Sequence, residues 1–144
     1  MPQDITSESS ISINAPQAAI WEMLTDPKLV KQWFFGTDLS TTWEKGSPIV
    51  FRGEWQGKPY EDKGEITAIE PGKMFAYTHF SSRTGLADVP ENYEQVAFYV
   101  NSGTEGTVVT VKESNLKSIE HRDNSLKIWQ MILGNLKQTA EQHV

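Results

Sequence analysis

A chain of 144 residues has the length of one ordinary domain and can bury about 68–70% of its unfolded surface, so it needs no covalent staples. It contains no cysteine, which excludes disulfides, thiolate nucleophiles and cysteine-held metals. With 13 basic and 19 acidic side chains its formal charge is −6, which repels polyphosphate and anionic lipid at long range; nucleic acid is not an expected partner.

The stretch from Met1 to Ile5 lacks a basic segment followed by an apolar one, and no run approaches the ~20 apolar residues that span a bilayer. A soluble, cytoplasmic chain with no membrane partner is expected. Ile5 to Ile13 alternates in its second half, with Ser9, Ile11 and Ile13 against Ser10, Ser12 and Asn14, as an edge or half-buried strand does. Pro16 then opens a short helix, because its missing N–H would be unpaired at that position anyway, and Ile20, Met23 and Leu24 follow at i, i+3 and i+4. Asp26 and Pro27 repeat the device: the carboxylate accepts from the first free amides, and Leu29, Val30, Trp33 and Phe34 form a second apolar stripe.

From Gly36 to Ser114 the period becomes two. Ile49 and Phe51; Ile66 and Ala68; Met74, Ala76, Thr78 and Phe80; Val96, Phe98 and Val100; and Val109 and Val111 each mark one side of a strand. Turn residues separate them at 44–46, 56–59, 70–73 and 102–106, so successive hairpins make an antiparallel meander. The stretch Ser81 to Asn92, with Gly85, Asp88 and Pro90, has no clean period and is long for a hairpin, and it is expected to rim a pocket. From about Asn124 the period returns to 3.6. Either Ile128 or Trp129, with Ile132, Leu133, Leu136 and Ala140, lies on one face of a long C-terminal helix. The whole chain reads as one domain.

Few residues offer chemistry. The histidines His79, His121 and His143 have no metal-ligand spacing, so neither metal nor cofactor is expected. His79 beside Tyr77 could serve as an acid/base pair if both faced inward. The more apolar set Met74, Ala76, Thr78 and Phe80 instead points inward on strand parity, which sends Phe75, Tyr77 and His79 outward. Glu113 shares parity with Val109 and Val111; since a buried unpaired carboxylate is costly, it should reach solvent at the rim or meet Arg52 or Arg83. Arg52 itself reads as an outer-face charge, and Glu61, Asp62 and Glu65 as a charged strand surface. There is no G-x-S-x-G serine and no Gly-rich phosphate loop, which leaves a hydrolase or kinase without support. The aromatic residues are too many for their polar ends to be ignored, since a buried Trp N–H or Tyr O–H needs a partner. Trp21, Trp33 and Phe98 read as core; others are left to line a cavity.

The run Ile13, Asn14, Ala15, Pro16, then Ile20 and Trp21, then Leu24 to Pro27 and Trp33, resembles the opening of the family named for the activator of the heat-shock-protein-90 ATPase, C-terminal-domain type. Gly64, Glu65 and Ile66 with Glu70 and Pro71, Gly106 and Thr107, and Trp129, Leu133, Leu136 and Lys137 continue the match along nearly the whole chain. The strand Lys73 to Phe80 departs from it: a tryptophan common there is replaced by Tyr77, Thr78 and His79. The resemblance implies an α+β helix-grip fold, a curved antiparallel sheet of six to seven strands with two short helices and a long C-terminal helix packed across it. It also implies a cavity between sheet and helix, lined by Phe51, Tyr60, Met74, Thr78, Phe98, Val109, Val111, Glu113, Trp129, Ile132 and Leu133. Three functions stay open: a non-catalytic domain holding a small hydrophobic molecule; a chaperone-regulator type of protein contact, with a chaperone or a second copy as partner; and a cyclase- or hydrolase-like enzyme using His79, Tyr60 or Glu113.

Overall fold

The computed structural model describes residues 5–81, 85–104 and 106–143, apart from the side chains of Trp55 and His143. Arg83 and Glu105 lie outside the described residues. In chain order the elements are β1 (Ile5–Ile13), α1 (Gln17–Thr25), α2 (Pro27–Trp33), β2 (Asp38–Ser40), β3 (Pro48–Trp55), β4 (Lys58–Glu70), β5 (Met74–Ser81), β6 (Glu94–Gly103), β7 (Gly106–Leu116) and α3 (Ile119–His143), with a 3₁₀ turn at Pro90–Asn92 before β6. The seven strands form one sheet in the order β1-β7-β6-β5-β4-β3-β2. Each neighbouring pair is antiparallel. The sheet curves around α3 in the helix-grip manner.

The helix starts follow local chemistry. Asp26 Oδ1 accepts from the Lys28 amide at 2.9 Å, and Pro27 occupies the first turn of α2, so a free N–H is capped where the chain must change direction. Ile20, Met23 and Leu24 of α1 and Val30 and Trp33 of α2 are buried. Trp33 Nε1 donates to Met23 O at 2.8 Å and Trp43 Nε1 to Thr25 O at 3.0 Å, which meets the need of buried indole N–H groups for acceptors. The first bond clamps α1 to α2, and the second ties α1 to the connection between β2 and β3.

α3 begins at Ile119, five residues before its apolar stripe does. Ser118 Oγ accepts from the His121 amide at 3.0 Å, and this cap lets a first turn without apolar spacing be helical. Within α3, Trp129 is the buried member of its pair and Ile128 is half exposed.

Register decides what faces α3. Ser7 lies opposite Glu113, Glu113 opposite Val96, Val96 opposite Tyr77 and Glu94 opposite His79, and Asp62 opposite both Ser81 and Phe51. Directly paired residues share a face. All of these side chains therefore stand on the inner, concave face, alongside the buried Phe98, Val100, Val109 and Val111. Among the described residues no helix is long and apolar enough to cross a membrane.

Candidate functional site

The inner face is aromatic at its centre. Phe75 stacks on Phe98 with ring centres 5.0 Å apart and planes 14° apart, Phe98 meets Trp129 edge-on at 5.5 Å, and Phe51 lies 5.4 Å from Tyr77. Phe34 closes the ring system against Trp129 at 6.2 Å. Phe51, Phe98, Val109, Val111, Trp129, Ile132 and Leu133 are all buried here. Of these, Phe51 and Phe98 border a cavity shared with Leu24, Trp33, Trp43 and Phe75, whose volume is about 10 Å³ for the centre of a water-sized sphere. That is room for about one water, against several hundred Å³ in ordinary ligand pockets. In this conformation side chains fill the space beside Phe51 and Phe98.

The expected parity of β5 is reversed. Phe75 and Tyr77 are buried on the inner face, 4% and 3% exposed, and His79 follows them, 5.7 Å from the Phe51 ring. Met74 and Thr78 stand on the opposite face and are half-buried, so they do not border the sheet–helix interior. Counting apolar residues misled because Phe80, on the outer face, is buried by a different partner: its ring stacks on Tyr93 at 5.1 Å. The outer face thus carries its own aromatic pair, which lends Met74, Ala76, Thr78 and Phe80 an inward look.

Tyr60 stays on the inner face but leaves the sheet–helix gap. Its hydroxyl is 2.6 Å from Thr37 Oγ1, and its ring crosses Gly53, where an added Cβ would lie 2.6 Å from the phenol oxygen. A side chain on residue 53 would displace it.

Beyond the aromatic centre, a polar row crosses the inner face. His79 Nε2 lies 3.2 Å from Asp62 Oδ2 and His79 Nδ1 4.0 Å from Glu94 Oε2. From α3, His121 Nε2 reaches Glu94 Oε1 at 3.0 Å. Ser7 Oγ donates to Glu113 Oε1 at 3.1 Å. Burial, and then the charge of Glu113, push the Glu94 carboxyl above its ordinary range, against the pull of His79, His121 and Lys117. Burial pushes the Tyr77 phenol up as well, with Glu113 and Glu94 adding to it. Glu113 is 4% exposed, so it neither reaches solvent at a rim nor meets Arg52, which pairs with Glu61 at 2.6 Å on the exposed side. Among the described residues the Ser7 hydroxyl is the group that meets Glu113; the other expected cation, Arg83, lies outside the described residues.

Asp62 and Glu94 were absent from the sequence-based candidates, and both were within reach of it. The tight turn at Gln56 and Gly57 fixes Phe51 opposite Asp62, which removes Asp62 from the charged outer surface expected of it. Continuing the set Val100, Phe98, Val96 back by two residues gives Glu94. The segment before β6 also differs from expectation. Leu86 is 44% exposed, and Asp88 is held by Lys63 and by the Tyr93 hydroxyl at 2.6 Å. Lys63, Asp88 and Tyr93, with Gly64, Glu65, Thr78 and Pro90, border a groove of about 480 Å³ on the outer face, so Asp88 and Pro90 of the loop rim that groove; residues 82–84 lie outside the described residues. Among the described residues no three His, Asp or Glu side chains are placed to hold one metal ion.

The model of the family described as "Activator of Hsp90 ATPase homolog 1-like protein" matches residues 14–141. The chain belongs to this family. A Cytophaga hutchinsonii protein of known solution structure is 35% identical, with 99% of this chain and 98% of that one covered and a TM-score of 0.85. The Mesorhizobium loti protein MLL2253 is 20% identical over 96% of this chain and 98% of its own, with a TM-score of 0.77. A protein from Colwellia psychrerythraea, described as an Aha1 dimer, is 21% identical over 95% and 96%, with a TM-score of 0.74; these last two likenesses are of fold alone. No curated protein matches the chain. Membership of the Hsp90-activator-like family supports a binding or regulator type of domain in general.

Proposed function

We propose that the whole chain acts as one non-catalytic binding domain, which takes a small, largely apolar molecule between the sheet and α3. The observation that carries this reading is the run of the inner face from the stacked Phe75 and Phe98 through Phe51 and Tyr77 to the half-buried row of His79 and Glu94. An apolar wall ending in a few placed polar groups is the usual make-up of a small-molecule site. With about 10 Å³ open, a ligand enters by displacing side chains rather than by filling a void. The exposed part of α3 before Trp129 is the natural part to move, since Ile119 and Ile128 are half exposed there. Native mass spectrometry of the purified protein, with thermal-shift titration by a panel of apolar aromatic compounds, tests the reading. Retained or stabilising compounds support it; a panel with no binder and no co-purified molecule sinks it.

A second reading, self-association, has one observation behind it. Ile128 and Met131, one turn apart on the outer side of α3, are 49% and 57% exposed, and a similar protein is described as a dimer. Sedimentation equilibrium of the wild type against Met131→Lys decides it: a monomer at all concentrations removes this reading.

A further inference from the structure

Trp43 stands in a backbone conformation that its side chain does not favour. On the link between β2 and β3 it has a φ of 60°, in the left-handed region, where a bulky residue other than glycine is held only when its surroundings require it. What holds it is the ring. The indole packs edge-on against Phe75 at 4.9 Å, and Nε1 donates to Thr25 O at 3.0 Å. That carbonyl ends α1, and the amide four residues on, Leu29 N, donates to Asp26 O instead, so the indole supplies a donor that a helix C-terminus lacks. Yet the ring is only half-buried, and it borders the cavity of about 10 Å³ together with Leu24, Phe51, Phe75, Tyr77 and Phe98. The link is pinned just beyond it, where Gly46 N donates to Ile66 O at 2.8 Å and Ile66 N to Ser47 O at 2.9 Å. Trp43 itself lies short of that anchor, and its amide donates to Thr41 Oγ1 at 3.3 Å, a long bond.

We infer that Trp43 is a built-in stand-in for a ligand, and that the place it occupies takes a small, uncharged, flat aromatic molecule with an N–H donor. This rests on the binding reading above and names the ligand class and the side chain that the ligand displaces. Turning Trp43 outward lets its backbone leave the left-handed region and joins the space of an indole ring to the small cavity behind it. What remains is a slot walled by aromatic rings, Phe75 first, with one carbonyl, Thr25 O, in need of a donor. Among the described residues no charged side chain borders the slot, so a charged head has nothing to pair with there and is costly to bury. The displaced indole lies on a link whose neighbours Thr42, Glu44 and Lys45 are exposed, so water meets its N–H. Ligand and Trp43 thus compete for one place, and the strain of the closed form lowers what the ligand has to overcome.

The test titrates indole and 1-methylindole, which differ by that one donor, into the full chain and follows the tryptophan side-chain N–H signals by NMR; the Trp43 signal is the one lost in Trp43→Phe. Indole is expected to move the Trp43 signal to the position and exchange rate of an indole in water. It should bind about three- to tenfold more tightly than 1-methylindole, the scale of one neutral hydrogen bond. Trp43→Ala, free of the competing ring, should bind indole at least about tenfold more tightly than the wild type while keeping the preference over 1-methylindole. Indole binding by Trp43→Ala with none by the wild type overturns the inference, because the ring is then ordinary core and the variant merely holds a hole. Equal affinity for the two probes, or wild-type binding that leaves the Trp43 signal unmoved, overturns it as well. In each of these cases the binding reading stands if a compound of the apolar aromatic panel binds the wild type. If neither indole nor any compound of that panel binds, both fall. Should Trp43→Ala not fold, the wild-type titration decides alone.

Discussion

His121 Nε2 stands 3.0 Å from Glu94 Oε1, so the first turn of α3 is fastened to the first residue of β6. Apart from this contact, that turn carries little that would hold it down: Ile119 is half exposed and Glu120 is exposed. Because the imidazole is about a third open to solvent, the pair is worth less than about 1 kcal/mol. Replacing His121 by Ala is expected to lower global stability by no more than that. It should speed amide exchange over residues 119–124 while Trp129 to Ala140 exchanges as before. Equal exchange along the whole helix in the variant would show that the tether is not what orders the turn.

Glu94 gives a pH dependence with a definite sign. Its carboxyl is held above its ordinary value of 4.5 by burial first and by Glu113 second. A raised folded-state pKa means that the group favours the fold below the ordinary value, and that this contribution is lost as pH rises through the raised one. Glu94→Gln should therefore melt higher than the wild type at neutral pH, and the difference should close below pH 4.5. A variant that melts lower at neutral pH, with the gap widening upward, would mean that the histidine contacts outweigh burial.

Ser7 and Ser9 form a matched pair of probes on one strand. Ser7 Oγ is the hydroxyl donor to the buried Glu113, so Ser7→Ala leaves a carboxylate short of a donor and should cost about 1.5–3 kcal/mol in urea denaturation. Among the described residues Ser9 Oγ has no partner to lose. Ser9→Ala should be neutral or slightly stabilising, since it removes a buried hydroxyl that gains nothing from the fold.

Trp129 is 7% exposed and touches both Phe34 and Phe98. Trp129→Ala removes the ring and leaves a hole that the stiff neighbouring rings cannot close, with an expected loss of about 3–5 kcal/mol. A loss under about 1 kcal/mol would show that the ring bounds a collapsible space.

Gly53 is needed for the Tyr60 crossing rather than for a turn. With a Cβ 2.6 Å from the phenol oxygen, Gly53→Ala must push Tyr60 aside and break its bond to Thr37, which is fully buried. The expected cost is about 1–3 kcal/mol. The double change Gly53→Ala with Tyr60→Ala should then be less than the sum of the two alone.

Most of the fold could be read before any coordinates, because it rests on period and punctuation. Pro16 and Asp26 marked two helix starts, and the return of the 3.6 period marked α3. The three-residue strand β2 was not legible, since Asp38 to Ser40 is too short to show a period and is a strand only through its pairing with Val50 to Arg52. The site was less legible for a related reason. On β5 both faces are covered, one by the helices and the other by Tyr93, so hydrophobicity alone could not tell Phe75 from Met74. The polar row needs five strands in register, and each contributes a single residue to it, so no local pattern announces it. Glu113 had the right parity but the wrong depth, because its burial depends on Ser7, more than a hundred positions away in the chain.

The sheet order has a consequence for how the protein is made. β1 finds its only described strand neighbour in β7, so on the ribosome β1 must wait for the synthesis of every strand between them. The hairpins from β3 to β7 can zip locally, but the inner face has no lid and no left-hand edge until residues beyond 116 have emerged. Until then the Phe75, Phe98 and Val111 wall lies open, and pairing of such sequence-distant strands is the slow step in folding. The nascent chain is thus exposed longest at its most apolar surface, the condition under which an unfinished domain sticks to its neighbours. Chains stalled before α3 should be captured by holdase chaperones, and release should coincide with synthesis of Trp129 to Leu136.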